Sequence, residues 1–289
     1  MTFEAQRIRD PLHNLITFQA NEFEHVMWRV IQTRPFQRLR RVKQLGFSEF
    51  VYPGATHSRF AHSLGVFHVA RKLMRIIKEH LGQSRYLETR AHQAIAAALV
   101  HDLGHGPFSH AFEEVGRRLD LRLADHEEVS DAIIMDSEVA DRLNELGSGF
   151  SDDVARIIKA EGPGNIYSAV VSSQFDADRL DYMQRDRLMT GTQQGAIDFE
   201  LLLANIEVGE VPSGVDEENL GPVETFVLGP KAIFAAEAYV LGLFQLYPTV
   251  YLHKTTRGAE KLFTELLCRV VKLSKDESVR LTGLTVAIP

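Results

Sequence analysis

The segment His101-Asp102-Leu103-Gly104-His105-Gly106-Pro107-Phe108-Ser109-His110 gathers three histidines and an aspartate into ten residues. Imidazole suits borderline divalent metals, and a carboxylate widens the choice toward harder ions. Adjacent His101 and Asp102 can reach one ion if they lie near a helix end, where neighbouring side chains splay around it. The apolar run from Ile95 to Val100 just before them supplies a dry wall, which strengthens electrostatics at an ion. A lone His-Asp pair would be explained by a helix C-terminus, with histidine favouring the dipole and Gly104 as the cap. Three histidines here, with further ligand types elsewhere, favour a metal site instead.

Two other stretches supply partners. Arg59 and His62 stand three apart, so on a helix they share a face. His62 can bind a metal while Arg59 offers a guanidinium to a phosphate oxygen; the bland alternative is a buried histidine beside a solvated arginine. Downstream, Asp178, Tyr182 and Asp186 recur at four-residue intervals, placing two carboxylates and a phenol on one helical stripe. Asp181 and Arg185, also four apart, read as an ordinary surface ion pair, and Asp176 as an N-cap.

These residues need helices to hold them, and the apolar spacing provides them. The spacing predicts two short helices between Glu22 and Val42, broken near Pro35, and a long one from about Arg59 to Leu81. A buried helix follows from Ala91 to Leu103, ended by Gly104 and Pro107. Further helices are expected over 109–119, 126–135, 138–146, 151–159, 176–189, 231–253 and 257–273. Short strands flank a turn between Arg7 and Phe18. Residues 206–228, rich in glycine and proline around Val-Glu-Thr-Phe-Val-Leu, read as a surface hairpin or lid. The fold expected is mainly α, in one domain over residues 1–275. Residues 276–289 form a strand-like tail that needs a partner, from the hairpin, another subunit or further sequence.

At 289 residues the chain can bury a substantial core, and 45% hydrophobic with 25% charged residues is ordinary globular composition. No run approaches the ~18 apolar residues that span a bilayer, so no membrane partner is expected. The start, Met1 to Arg7, lacks the features of a signal peptide. One cysteine, Cys268, rules out an internal disulfide, and a reducing cytoplasm is expected. A net charge of −7 argues against a generic nucleic-acid coat while leaving room for a local basic pocket.

Several blocks together resemble the deoxynucleoside-triphosphate triphosphohydrolase branch of the HD superfamily, which includes the animal sterile-alpha-motif/HD enzyme and bacterial relatives. They are Arg59-Phe60-Ala61-His62-Ser63-Leu64-Gly65-Val66, the His101–His110 and Asp176–Asp186 stretches, and Phe36 to Gly46. Thr190-Gly191, Gly195 to Asp198 and Val250 to Thr255 add to them, so the likeness runs from Asp10 to about Glu260. The resemblance implies a helical HD fold, one divalent ion (Mn, Fe, Mg, Ni, Co or Zn) and release of inorganic triphosphate from a deoxynucleotide. It implies His62, His101, Asp102 and Asp178 as metal ligands. His105 would orient the attacking water, His126 would protonate the departing 5′ oxygen, and Glu113 would orient His126. Arg59, His110, Arg179, Tyr182 and Lys254 would hold phosphates. Gln44 and Asp186 would accept the sugar 3′-OH, with Tyr251 crowding the 2′ position. The resemblance further implies a homo-oligomer, dimer or tetramer, and a regulatory nucleotide.

Three positions depart from the pattern. Glu113 replaces the usual aspartate, Leu243 stands where a phosphate-binding arginine is expected, and Tyr247 replaces a histidine of the animal enzyme. Losing an arginine–phosphate contact costs ~1.5–3 kcal/mol unless a cation such as Arg257 compensates. Leu243 motivates a second reading, hydrolysis of nucleoside mono- or diphosphates or another phosphate ester. A third is a nucleotide sensor or single-strand binder, motivated by the basic cluster Arg38 to Arg41. The remaining histidines, among them His13, His57 and His68, read as structural or solvated.

Overall fold

The computed structural model describes residues 3–122, 124–160, 164–193, 195–212 and 221–274. The chain opens with a hairpin, β1 (Gln6–Asp10) antiparallel to β2 (Asn14–Phe18), with Asp10 opposite Asn14. Its turn is local chemistry: Asp10 Oδ1 accepts from the backbone N–H of Leu12 (3.0 Å) and His13 (2.8 Å), and Asn14 takes a left-handed φ of 61°. Helices α1 (Glu22–Gln32) and α2 (Arg34–Arg38) follow, the second opened by Pro35 in its first turn, where a missing N–H costs nothing.

The helix α3 (Arg59–Arg85) is the spine. Ser58 caps it by accepting from Ala61 N–H, and Gly82 bends its last turn with φ 65°. Phe67, Leu73 and Ile77 on its inner face are fully buried. Against it packs α4 (Glu88–Val100), whose alanines at 94, 96, 97 and 98 are buried and let the two backbones approach closely. Then come α5 (His110–Arg118), α6 (His126–Met135), α7 (Glu138–Leu143) and α8 (Phe150–Lys159). On the other flank of α3 lies α9 (Ala177–Thr190), capped at one end by Asp176 and at the other by Gly191 in the left-handed conformation. The expected mainly helical architecture with two small hairpins is what the structure has.

A short helix not anticipated from spacing, α10 (Phe199–Ala204), is capped by Asp198 and leads into β3 (Ile206–Pro212). β3 pairs antiparallel with β4 (Pro222–Leu228), the hairpin expected at 206–228. The helix expected over 231–253 is divided: α11 (Ile233–Leu246) runs into a π-type turn, Tyr247–Tyr251, before α12 (Lys254–Ser274). Pro248 explains the division, since it removes a helical donor. The expected strand-like tail at 276–289 lies outside the described residues.

One expectation is corrected. Pro230–Tyr251, with a mean hydropathy of 1.3, is long and apolar enough to cross a membrane by length and composition, although 28% of that window is buried in the protein. Lys231, Glu237 and Gln245 interrupt the apolar run without lowering its average enough, which is why counting apolar residues in a row passes over it. Phe234 and Phe244 on α11 are 82% and 73% exposed.

Candidate active site

Three elements deliver ligand-type side chains to one point. His62 stands in the first turn of α3, His101 and Asp102 follow directly on α4, and Asp178 is in the first turn of α9. Because α3 packs on both α4 and α9, these stretches meet. His62 Nε2 lies 2.9 Å from Asp178 Oδ1 and 3.9 Å from Asp102 Oδ2. His101 Nε2 lies 3.4 Å from Asp102 Oδ1 and 3.7 Å from Asp178 Oδ1. The donor atoms of His62, His101 and Asp178 all fall within 4.8 Å of one another, with Asp102 alongside.

The residues fit a divalent cation. His62 Nε2 is buried with no aligned hydrogen-bond partner, an arrangement that is costly unless an ion completes it. Two imidazoles and two carboxylates suit first-row divalent ions without selecting one. The electrostatics agree. Burial pushes the His62 pKa down, but the Asp178 and Asp181 carboxylates at its two nitrogens outweigh that and raise it to about 10. Burial likewise opposes ionisation of Asp102, yet Arg59 and His101 hold its carboxyl well below the usual range. The pocket is thus built for positive charge between carboxylates.

Beside it is a second cluster. Glu113 Oε1 lies 3.1 Å from His126 Nδ1 and 3.4 Å from His105 Nδ1, and its other oxygen lies 3.3 Å from His110 Nδ1. The rings of His105 and His126 stack at 3.9 Å, and His105 Nε2 reaches to 3.3 Å from Asp102. His105, Glu113 and His126 are also close enough together to hold an ion. Their surroundings drive the two imidazoles apart: burial lowers His105, whereas for His126 the Glu113 carboxylate overcomes burial and raises the pKa. Stacked imidazoles with opposed shifts are the pattern of an acid and a neutral partner.

Local structure sets this cluster. The chain leaving α4 crosses α6 so tightly that a Cβ at Gly104 would overlap the His126 carbonyl and Ser130. Gly104 N–H donates to Ser130 Oγ (2.8 Å), which in turn donates to the His101 carbonyl (3.1 Å). Arg38 clamps the same loop by donating to the carbonyls of Leu103 and His105, the latter at 2.7 Å. Phe108 and Ser109 turn the chain into α5 with φ of 60° and 49°, strained values for side-chain-bearing residues. The basic cluster at 38–41 is therefore partly spent on structure: Arg38 holds the loop and Arg40 lies 3.6 Å over the Phe60 ring.

A cavity of about 720 Å³ opens onto both clusters. Of the phosphate and sugar residues expected, Gln44, Arg59, His110, Tyr182, Asp186 and Tyr251 line it; Arg179 and Lys254 do not. Arg179 instead donates to the Ser173 carbonyl (3.0 Å) and pairs with Asp176, while Lys254 is exposed. Arg59 is buried and donates to Asp102 (2.6 Å) and Ser109 (3.1 Å). At the far wall, Asp186 accepts from Tyr251 Oη (2.9 Å) and lies 2.8 Å from His57 Nε2.

One reading from spacing needs revision. Asp181 and Arg185 are not a surface pair: both are wholly buried, with Arg185 donating to Asp181 (2.7 Å) and Asp10 (2.9 Å). Spacing of four announces pairing but says nothing about solvation. His57, read as structural or solvated, proves structural: it is buried and lies 2.8 Å from Asp186, a residue of the cavity wall. Gln44, expected at the sugar, shows what could have found it, since its N–H donates to the His57 carbonyl across the bridge between Lys43 and Ser58.

Residues 59–185 match the HD domain family, and helices α3 to α8 with His62, His101, Asp102 and Asp178 lie in that span. Residues 59–185 thus carry an HD domain. The chain is 36% identical to the uncharacterized protein YwfO of Bacillus subtilis over 274 residues, 94% of this chain and 58% of that one. It is 29% identical to the deoxynucleoside triphosphate triphosphohydrolase SAMHD1 of Mus musculus over 310 residues, 95% of this chain and 44% of the relative. Among solved structures, a phosphohydrolase from Bacteroides thetaiotaomicron superposes with a TM-score of 0.75 at 30% identity, covering 94% of this chain and 60% of that one. The chain thus spans about half the length of the curated relatives it matches.

Proposed function

We propose that this chain is a metal-dependent phosphohydrolase that converts deoxynucleoside triphosphates to deoxynucleoside and inorganic triphosphate. The observation that carries the proposal is the meeting of His62, His101, Asp102 and Asp178 beside a cavity that also holds the His105–Glu113–His126 cluster. The relationship to a deoxynucleoside triphosphate triphosphohydrolase supports the substrate class. His62, His101, Asp102 and Asp178 would hold one divalent ion, which when bound supplies Lewis acidity toward a phosphoryl oxygen.

The chain's own residues do the rest. His105, kept neutral by burial, orients a water toward the α-phosphorus. As the new P–O bond forms, the bond to O5′ breaks and His126 gives that oxygen its proton; such general acid catalysis contributes ~10² to 10⁴ in rate. Glu113 holds His126 in its protonated form and orientation. Arg59, His110 and Tyr182 face the cavity where phosphates would lie, whereas Arg179 and Lys254 would have to turn toward it. Asp186 and Gln44 would receive the 3′-OH, and the Tyr251 ring, fixed by its bond to Asp186, would crowd a 2′-OH.

Incubation with each dNTP and Mn²⁺, with products separated by ion chromatography, tests the proposal. Tripolyphosphate and nucleoside should appear in equal amounts, stop with EDTA and resume on adding excess Mn²⁺. A second reading, action on shorter phosphate esters, is favoured by the charge pattern. Leu243 packs against the core, and the cavity-lining cations Arg59, Lys159 and Arg257 face Asp102, Asp131 and Glu260. Phosphate from monophosphates, without tripolyphosphate from any dNTP, would decide for that reading. Self-association is part of the same proposal, supported by the exposed apolar side chains of α11 and α12.

A further inference from the structure

Among the described residues, the most heavily buried charged side chains, Asp181 and Arg185, lie behind the cavity and not in its lining. Asp181 is 0% exposed and each of its oxygens is used twice. Oδ2 lies 2.8 Å from His62 Nδ1 and accepts from Arg185 Nε at 2.7 Å; Oδ1 lies 2.7 Å from His13 Nε2 and accepts from Arg185 Nη2 at 2.9 Å. Arg185 is tied in turn to Asp10 at 2.9 Å. Asp10 and His13 belong to the N-terminal hairpin, so two elements far apart in sequence close on one carboxylate. The His13 ring rests on that of His68, 4.8 Å between centroids. Room for this hub exists because residue 65 is glycine: a Cβ there would overlap Asp181 Oδ1 and Arg185 Nη2.

We infer that Asp181 is a positioning residue for the metal ligand His62, and that the β1–β2 hairpin, through His13 and Asp10, is the clamp that holds Asp181. The inference rests on the metal site proposed above. With Nδ1–H committed to Asp181, the nitrogen of His62 left for a metal is Nε2, the atom that faces Asp178 and has no aligned partner. Which ring nitrogen binds a metal is set by the bond the other one makes. Asp181 and Asp10 bring two carboxylates against the single guanidinium of Arg185, so the hub carries surplus negative charge toward the imidazole. That surplus strengthens His62 as a donor. Burying such a group without partners would be strongly unfavourable, and a simple structural role could be met by apolar packing at lower cost.

Manganese titration separates this inference from its premise. Parent, Asp181→Asn and His13→Gln proteins are stripped of metal, checked for cooperative melting, and titrated with Mn²⁺ by calorimetry and by EPR of the free ion. Asn keeps the size of Asp181 but must point an N–H at one of its donors. Asp181→Asn should bind Mn²⁺ about ten- to a hundredfold more weakly. His13→Gln leaves the Asp181–His62 contact in place and should show a smaller loss in the same direction. Selective ¹⁵N-histidine spectra of the metal-free diamagnetic proteins should show the His62 Nδ1 signal moving in both variants, which a loss of general stability would not produce. Unchanged Mn²⁺ affinity in folded Asp181→Asn overturns the inference. If that variant does not fold, His13→Gln decides alone, with parent affinity and an unmoved His62 signal overturning it. A parent that binds no Mn²⁺ removes the metal site itself and this inference with it, whereas tight binding by parent and variants alike removes only the inference.

Discussion

At the scale of single residues, the site divides two stacked histidines by their neighbours. Glu113 lies against both, yet His126 is raised above its ordinary 6.5 while His105 is lowered. A raised histidine stays protonated to higher pH, so His126 keeps its proton above pH 6.5 and loses it as pH climbs through the raised value. Turnover should therefore fall on the alkaline side, and Glu113→Gln should move that fall to lower pH, measurable in a pH–rate profile. The same interaction stabilises the fold fully below 6.5 and is lost as pH rises through the folded-state value. His126→Ala should cost ~10²- to 10⁴-fold in kcat while Mn²⁺ affinity stays at the parent level. Retained kcat in that variant would remove His126 from its proposed role.

At the scale of elements, what matters is how closely helices approach. Gly104 lets the loop after α4 cross α6, and the Ser130 hydroxyl bridges the gap in both directions. Gly104→Ala should destabilise the protein by about 1–3 kcal/mol through overpacking, seen as a lower midpoint in urea, and should separate His105 from His126. Activity should fall further than the loss of folded protein explains. Ser130→Ala removes the bridge without adding bulk, so a smaller loss is expected, ~1 kcal/mol. The element most easily misjudged is the first hairpin, which looks like a minor edge feature and yet reaches the back of His62.

At the scale of the whole molecule, the cavity and the apolar surface are set by packing. Leu262 and Leu266 on α12 are 75% and 59% exposed, and Phe234 and Phe244 on α11 are exposed as well. Large apolar side chains left in water favour association. Sedimentation should find a dimer or larger species, and Phe244→Asp should shift it toward monomer while changing folding stability by no more than ~0.5 kcal/mol, as expected for an exposed site. Binding to neutral lipid vesicles in place of self-association would assign the face to a membrane surface.

Much of the protein was legible from residue order alone. Spacing of three and four along α3 and α9 placed Arg59 with His62 and Asp178 with Asp186, and Gly104, Gly106 and Pro107 announced the break after α4, which ends at Val100. Such features are local: helical periodicity and backbone permissiveness act within a few residues. Tertiary structure alone decided which polar pairs left water. Asp181 and Arg185 have the spacing of a solvated pair and are buried because Gly65 on another helix leaves room. His57 faces Asp186 because a bridge folds its loop back. Arg179 and Lys254 carry the right charge and still do not line the cavity. Burial depends on what arrives from distant parts of the chain, and no local pattern encodes that arrival.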